Sequence, residues 1–255
     1  MVGRSDYIVV PVATHETIKV ICRELRGYKI MNIPLLIIEP LYNVLDEVVE
    51  ALSDTPTDIV SVFTSKNGVD VLLGYLAETG RLDMVGWLLR RVACIGPSTL
   101  KHLRVRLDNY YPGFAPVETY IPEVHTSRML ARLLASLPYR PVLWASRYVD
   151  SGLASLVSSR GGVVASIYGI RLDLDNAESV FKLIDRYRLV FLIFMSMKSL
   201  DFLRIFRGRA GQRSVGIFIS PRVYRCVDPS KLGEVHVYDG GDINGFYRFV
   251  RGVLG

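Results

Sequence analysis

Apolar runs of four to six residues alternate along this chain with stretches whose apolar positions recur three and four residues apart. The first pattern predicts buried strands and the second predicts amphipathic helices. Tyr7–Val12 predicts a strand and Thr14 a helix N-cap. Ile18, Ile21, Cys22 and Leu25 then form the stripe of a helix that stops at Gly27. Residues 58–63 predict the next strand, and Val69, Leu72, Leu73 and Leu76 mark the helix behind it. Val92–Ile95 repeats the strand, followed by Gly96-Pro97-Ser98-Thr99 and a further helix. Ser127–Leu137 reads as a helix, Val142–Ala145 as a strand, and Leu153–Ser159 as a helix stopped by Gly161-Gly162. Leu189–Phe194 and Val215–Ile219 are buried-type strands, each with a helical pattern after it. Such alternation predicts an α/β fold, with parallel sheet covered by helices on both faces.

Three units of this pattern recur. VFTSKNGVDVL at 62–72 lays onto IFMSMKSLDFL at 193–203, with Ser65 on Ser196, Asp70 on Asp201 and Leu72 on Leu203. CIGPSTL at 94–100 aligns with FISPRVY at 218–224 through Pro97 and Pro221, and LRGYKIMNIPL at 25–35 aligns with SRGGVVASIYG at 159–169 through Gly27 and Gly161. Three separate matches predict an internal duplication. Two tandem domains broken near residue 125 satisfy that order. So do two interleaved lobes, in which the first strand and helix join the last third of the chain. Met31–Pro40 and Val163–Asp173 both run on as extended, β-branched stretches after a helix stop. Paired as a two-stranded connector, they favour interleaving.

The duplicated units place small polar residues where strands hand over to helices. Thr64–Gly68, Gly96–Thr99, Ser196–Ser199 and Ser220–Arg222 are four such ends. A helix start exposes backbone N–H groups at the positive end of the helix dipole, which suits carboxylates as well as phosphates. Any one of these residues could simply cap a helix. Four at duplicated positions point to an anionic ligand held between two lobes.

Composition narrows the ligand. The chain has 255 residues, a net charge of +6 and a pI near 9.2, with its Lys and Arg dispersed. No basic run interleaved with aromatics resembles a nucleic-acid platform, so no nucleic-acid partner is expected. The start MVGRSDYIVV is too short and polar for a secretory signal, and the apolar run Leu189–Met195 is far below a membrane span. A cytoplasmic protein with no membrane partner is the expectation. Cys22, Cys94 and Cys226 form no CxxC pair, and the four histidines are scattered, so neither a disulfide framework nor a metal site is indicated. GxxxxGK[ST], GxGxxG and GxSxG are all missing. In DGGDING at 239–245, Asp242 or Asn244 reads as the cap of the last helix rather than part of a calcium loop.

Thr64-Ser65-Lys66-Asn67-Gly68-Val69 after one strand and Ile95-Gly96-Pro97-Ser98-Thr99 after the next resemble the uroporphyrinogen-III synthase family. Val163-Val164-Ala165-Ser166-Ile167-Tyr168 matches the family's connector, including its tyrosine. The resemblance covers nearly the whole chain. It implies two flavodoxin-like parallel-sheet lobes joined by a two-stranded β-ladder, with residues 1–34 and 173–255 in one lobe and 38–168 in the other. The connectors would span about 31–40 and 163–173. It also implies conversion of hydroxymethylbilane to uroporphyrinogen III in the inter-lobe cleft by a monomer without cofactor or metal. Tyr168 becomes the candidate proton donor. Thr64, Ser65, Asn67, Gly96, Pro97, Ser98, Thr99, Arg147, Ser196, Lys198, Ser220 and Arg222 become candidate substrate-binding residues. The second half departs from the family pattern at Met195, Ser220 and Val223, and Trp144-Ala145-Ser146-Arg147 departs from its usual strand ending. Those departures leave room for a rival reading, a non-catalytic two-lobed binder of an anionic molecule or an inactive relative. Whether the product would serve haem, sirohaem or cobalamin is not legible in the chain.

Overall fold

A computed structural model describes residues 6–54, 58–206, 213–240 and 242–255. Two parallel-stranded sheets organise it, as the alternation predicts. One has four strands in the order β1-β8-β9-β10, from Tyr7–Val12, Leu189–Phe194, Ser214–Phe218 and Glu234–Val237. The other has six in the order β2-β7-β6-β3-β4-β5. Its strands are β2 Leu36–Pro40, β3 Ile59–Phe63, β4 Arg91–Cys94, β5 Glu118–Tyr120, β6 Arg140–Ser146 and β7 Val163–Leu172. The chain divides into two compact units. One is Met1–Ile37 with Ile170–Gly255, and the other is Ile38–Gly169.

In the first unit, β1 and β8 pair in parallel from Tyr7 with Leu189 to Val12 with Phe194. Alternate residues of these strands enter two separate cores, because successive side chains on a strand point to opposite faces. Ile8, Val10, Leu192 and Phe194 pack with Ala177, Val180 and Ile184 of helix Leu174–Ile184. Tyr7, Val9, Phe191 and Ile193 pack with Ile21 and Leu25 on one helix and Phe246 and Val250 on another. Both faces of the sheet are therefore buried, and the strands read as unbroken apolar runs.

The second unit repeats this scheme. Val60, Val62, Ala93, Leu143 and Ala145 face Leu130, Leu134, Leu153 and Val157 of helices Ser127–Ser136 and Ser151–Ser159. Helices Lys66–Glu78 and Pro97–Tyr110 pack on one another. Asp70 ties them, accepting from His102 Nε2 at 2.9 Å and Arg106 Nε at 2.6 Å. Gly27 and Gly161, which align in the duplication, both have positive φ, at 93° and 65°. Each ends a helix in a conformation that a side chain disfavours.

Some elements differ from the sequence reading. Helices Tyr42–Asp54 and Leu174–Ile184 and strands β5 and β10 were not singled out from the pattern. Thr14 stands at the N-cap position but makes no side-chain cap bond. Its hydroxyl lies 3.1 Å from that of Thr17 instead. The helical patterns after β8 and β9 are also shorter than expected. A 3₁₀ turn Met197–Leu200 with a short helix Asp201–Ile205 follows the first, and a four-residue helix Pro221–Tyr224 follows the second. Asp242 does cap the last helix, its Oδ1 accepting from Gly245 N at 2.7 Å. No helix among the described residues is long and apolar enough to cross a membrane.

Candidate functional site

In the second unit the chain steps from β3 to β4 to β5 and then places β6 on the opposite side of β3. The gap between the C-terminal ends of β3 and β6 is the topological switch point, where ligands of open parallel sheets bind. Ser65 opens the helix that follows β3, with extended backbone and its Oγ accepting from Gly68 N at 3.3 Å. Gly68 is required by close approach: a Cβ there would stand 2.7 Å from the Trp144 carbonyl oxygen on β6. That contact holds the start of helix Lys66–Glu78 against β6. Ser65, Asn67 and the end of β6 are thereby gathered at the switch point.

Tyr168 completes the group. Its hydroxyl lies 2.8 Å from Ser65 Oγ, and the residue is only 3% exposed. Burial pushes the phenol above its ordinary value of 10.0, while side-chain hydrogen bonds from Ser65, Ser146 and Asn67 pull the other way. Ser146 accepts from Tyr148 N at 3.2 Å, and Arg147 N donates to the Tyr168 carbonyl at 3.0 Å. Tyr168, Ser65 and Asn67 were all predicted site residues. Ser146 was not, although a small polar residue at a strand end was a signal of the kind used elsewhere in the chain.

The remaining predicted residues of this unit divide. Thr64 is half-buried at the same strand end, and Arg147 is exposed just after β6. Gly96 precedes helix Pro97–Tyr110 in extended conformation, and a Cβ on it would meet the His125 ring at 3.2 Å. Pro97 has no N–H, Ser98 is exposed, and Thr99 is buried with its N–H donated to the Gly96 carbonyl at 3.2 Å. That junction therefore presents fewer free donors than its composition suggests.

In the first unit, Ser196 follows β8, and Ser220 follows β9. Ser196 Oγ accepts from Ser199 N at 3.3 Å, and Ser199 returns its side chain to the Ser196 N–H in a capping box. Ser220 Oγ accepts from Val223 N at 3.5 Å. Both hydroxyls thus serve caps of short helical turns. Lys198 Nζ stands 3.4 Å from Asp201 Oδ2, so this cation already has an acidic neighbour. Arg222 is exposed. A cavity of about 700 Å³ in this unit lies instead by Tyr7, Leu189 and Glu234, at the N-terminal ends of β1, β8 and β10.

A family model described as Uroporphyrinogen-III synthase HemD matches residues 17–232. The chain belongs to the uroporphyrinogen-III synthase family. Its fold is similar to a crystallised mutant uroporphyrinogen III synthase from the extremely thermophilic bacterium Thermus thermophilus, at 17% identity and a TM-score of 0.53. That match covers 97% of this chain and 98% of the other. The wild-type enzyme in a second crystal form matches at 18% identity and a TM-score of 0.46, over 98% of this chain and 100% of that one. Comparison with curated proteins gave no match. Members of the uroporphyrinogen-III synthase family are tetrapyrrole-biosynthesis enzymes, as the resemblance implied, and this chain carries the family's α/β fold with parallel sheets.

Proposed function

We propose that this chain is a cofactor-independent lyase that closes hydroxymethylbilane to uroporphyrinogen III, with Tyr168 as proton donor. The reading is carried by the Tyr168 phenol, seated 2.8 Å from Ser65 at the switch point of a parallel sheet in a chain of this family. Loss of the terminal hydroxyl breaks a C–O bond, and the pyrrole nitrogen's electron pair drives the departure. The proton that turns the leaving hydroxyl into water comes from Tyr168. The azafulvene left behind is attacked by the substituted carbon of ring D, giving a spiro intermediate that reopens and closes through that ring's free carbon, whose proton is released and restores the Tyr168 phenol.

A phenol whose value lies above 10 holds its proton throughout the neutral range, but it is a weak acid there. The electron-rich pyrrole needs little help to expel water, so orientation carries most of the task. The substrate's carboxylates suit the donors at the strand ends after β3 and β6: the Lys66 and Asn67 amides, which begin a helix, and the Arg147 guanidinium. The chain would work as a monomer in the cytoplasm.

The deciding experiment generates hydroxymethylbilane in situ and separates the product isomers by chromatography. Isomer III in clear excess over the enzyme-free control is expected. Isomer I alone would sink the proposal and leave a binding protein.

A further inference from the structure

The ladder between β6 and β7 contains one irregularity. Val142, Leu143, Trp144 and Ala145 pair in turn with Val163, Val164, Ala165 and Ser166, but Ser146 pairs with Tyr168 rather than Ile167. One extra residue on β7, Ile167, is accommodated as a bulge. A bulge re-aims the side chains beyond it, and bulges concentrate beside active sites. In regular register Ile167 would stand opposite Ser146, and Tyr168 would come one position later on the other face. The bulge brings the phenol to the ends of β3 and β6.

Ser65 Oγ lies 2.8 Å from the phenol oxygen there, Ser146 faces Tyr168 as its partner across the ladder, and a backbone amide orients each serine. Ser65 Oγ accepts from Gly68 N at 3.3 Å, and Ser146 Oγ accepts from Tyr148 N at 3.2 Å. A hydroxyl has one proton to give. With backbone amides donating to both serines, each serine can give its proton to the Tyr168 oxygen, the arrangement in which the phenol keeps its own proton for donation.

We propose that Ser146, placed by the bulge at Ile167, is a positioning residue that works with Ser65 to hold the Tyr168 phenol with its proton presented for donation. This rests on Tyr168 being the proton donor. As the proton leaves, the serine donors stabilise the phenolate, and charge-assisted bonds of this kind strengthen as charge develops. Asn67 supplies a third polar neighbour to the same oxygen.

The test compares Ser146→Ala, Ser146→Thr, Tyr168→Phe and the double variant Ser146→Ala with Tyr168→Phe. Ser146→Ala is expected to lower kcat about tenfold with KM nearly unchanged, the sign of an interaction made in the transition state. Ser146→Thr, which keeps the hydroxyl, should recover most of that loss. In the Tyr168→Phe background the alanine change should have no further effect. Independently, tyrosine labelled with ¹³C at Cζ allows the Tyr168 phenol to be titrated by NMR, its signal assigned by loss in Tyr168→Phe. Ser146→Ala should move that titration to higher pH. An unmoved titration, or an equal loss of rate with and without the phenol, overturns the positioning role. If Tyr168→Phe alone leaves the rate intact, the proton-donor reading falls, while the titration still decides whether Ser146 holds the phenol.

Discussion

Burial raises the Tyr168 phenol above 10.0, against the opposing hydrogen bonds of Ser65, Ser146 and Asn67, and this sets a pH dependence. As the proposed donor, Tyr168 must be protonated, so the proposal expects its share of catalysis to be full from neutral pH up to about 10 and to decline only above the raised value. A kcat profile that falls between pH 7 and 9 with a tyrosine-like dependence would contradict the assignment. The same sign holds for stability, because the folded state keeps the phenolic proton after the unfolded chain has lost it. This contribution is fully present below 10 and is lost as the pH rises through the folded value. Ser61 offers a second test. Its Oγ donates to the Leu88 carbonyl at 2.7 Å and accepts from Trp144 Nε1 at 2.9 Å, all in the core. Ser61→Ala leaves both partners unsatisfied and should cost about 1–3 kcal/mol in a denaturant titration. The small polar residues after β3 were legible as a site because their composition changes abruptly at a strand end. Ser146 carried the same strand-end signal, but its pairing with Tyr168 did not, since a bulge shifts register without leaving a mark on hydrophobic periodicity.

Elements show what the duplication preserves and what it alters. Asp70 and Asp201 align, and both have basic neighbours: His102 and Arg106 in one unit, Lys198 and Arg204 in the other. Asp70 therefore ties two helices, whereas Asp201 pairs within its own short helical segment, three residues from each partner. Lys198, a candidate carboxylate binder, thus has Asp201 as a neighbour three residues along. Gly68 shows how closely the first copy is fitted. Gly68→Ala forces the helix start off β6 and should destabilise by about 1–3 kcal/mol, the cost of overpacking, while also weakening activity. Strand β5 is held by charge more than by length. Arg91 Nε donates to Glu118 at 2.8 Å, Arg91 Nη1 to Asp58 at 3.0 Å, and the Tyr139 hydroxyl to Glu118 at 3.1 Å. Hydrogen bonds from Tyr120 and Arg91 hold the Glu118 carboxyl below its ordinary value of 4.5. Its contribution is present above 4.5 and lost as the pH falls through the lower folded value. The Tm difference between the protein and Glu118→Gln should therefore shrink below pH 4.5. A three-residue strand such as β5 has too few positions for alternation to reveal it, whereas the Leu45, Val49 and Leu52 stripe of helix Tyr42–Asp54 was present in the sequence and was passed over.

At the scale of the whole chain, one unit is continuous in sequence and the other is not. Leu41 N donates to the Ile167 carbonyl at 2.9 Å, so the two ends of the continuous unit abut. Asp173 N donates to the Leu35 carbonyl at 2.9 Å, so the two segments of the other unit also meet where they are interrupted. Excised residues 38–169 should fold alone, because strands β3 to β6, most of β7 and the helices packed on them all lie within that span. Circular dichroism with a cooperative thermal transition would check this, and a featureless melt would refute it. Repeats and strand ends were visible in the sequence, and the extended stretches Met31–Pro40 and Val163–Asp173 favoured interleaving where periodicity alone could not. Tandem and interleaved arrangements have the same periodicity and differ only in which distant strands pair.

The pairing of Tyr7 with Leu189 has a consequence during synthesis. Strand β1 leaves the ribosome well before β8, with six buried-type residues, and must wait for β8 before that edge is covered. At about 5–20 residues per second that interval is roughly 10–40 s. The continuous unit has time to fold within it. The nascent chain thus carries a folded body behind an exposed, aggregation-prone strand, and a chaperone that binds short apolar segments would find a target in β1.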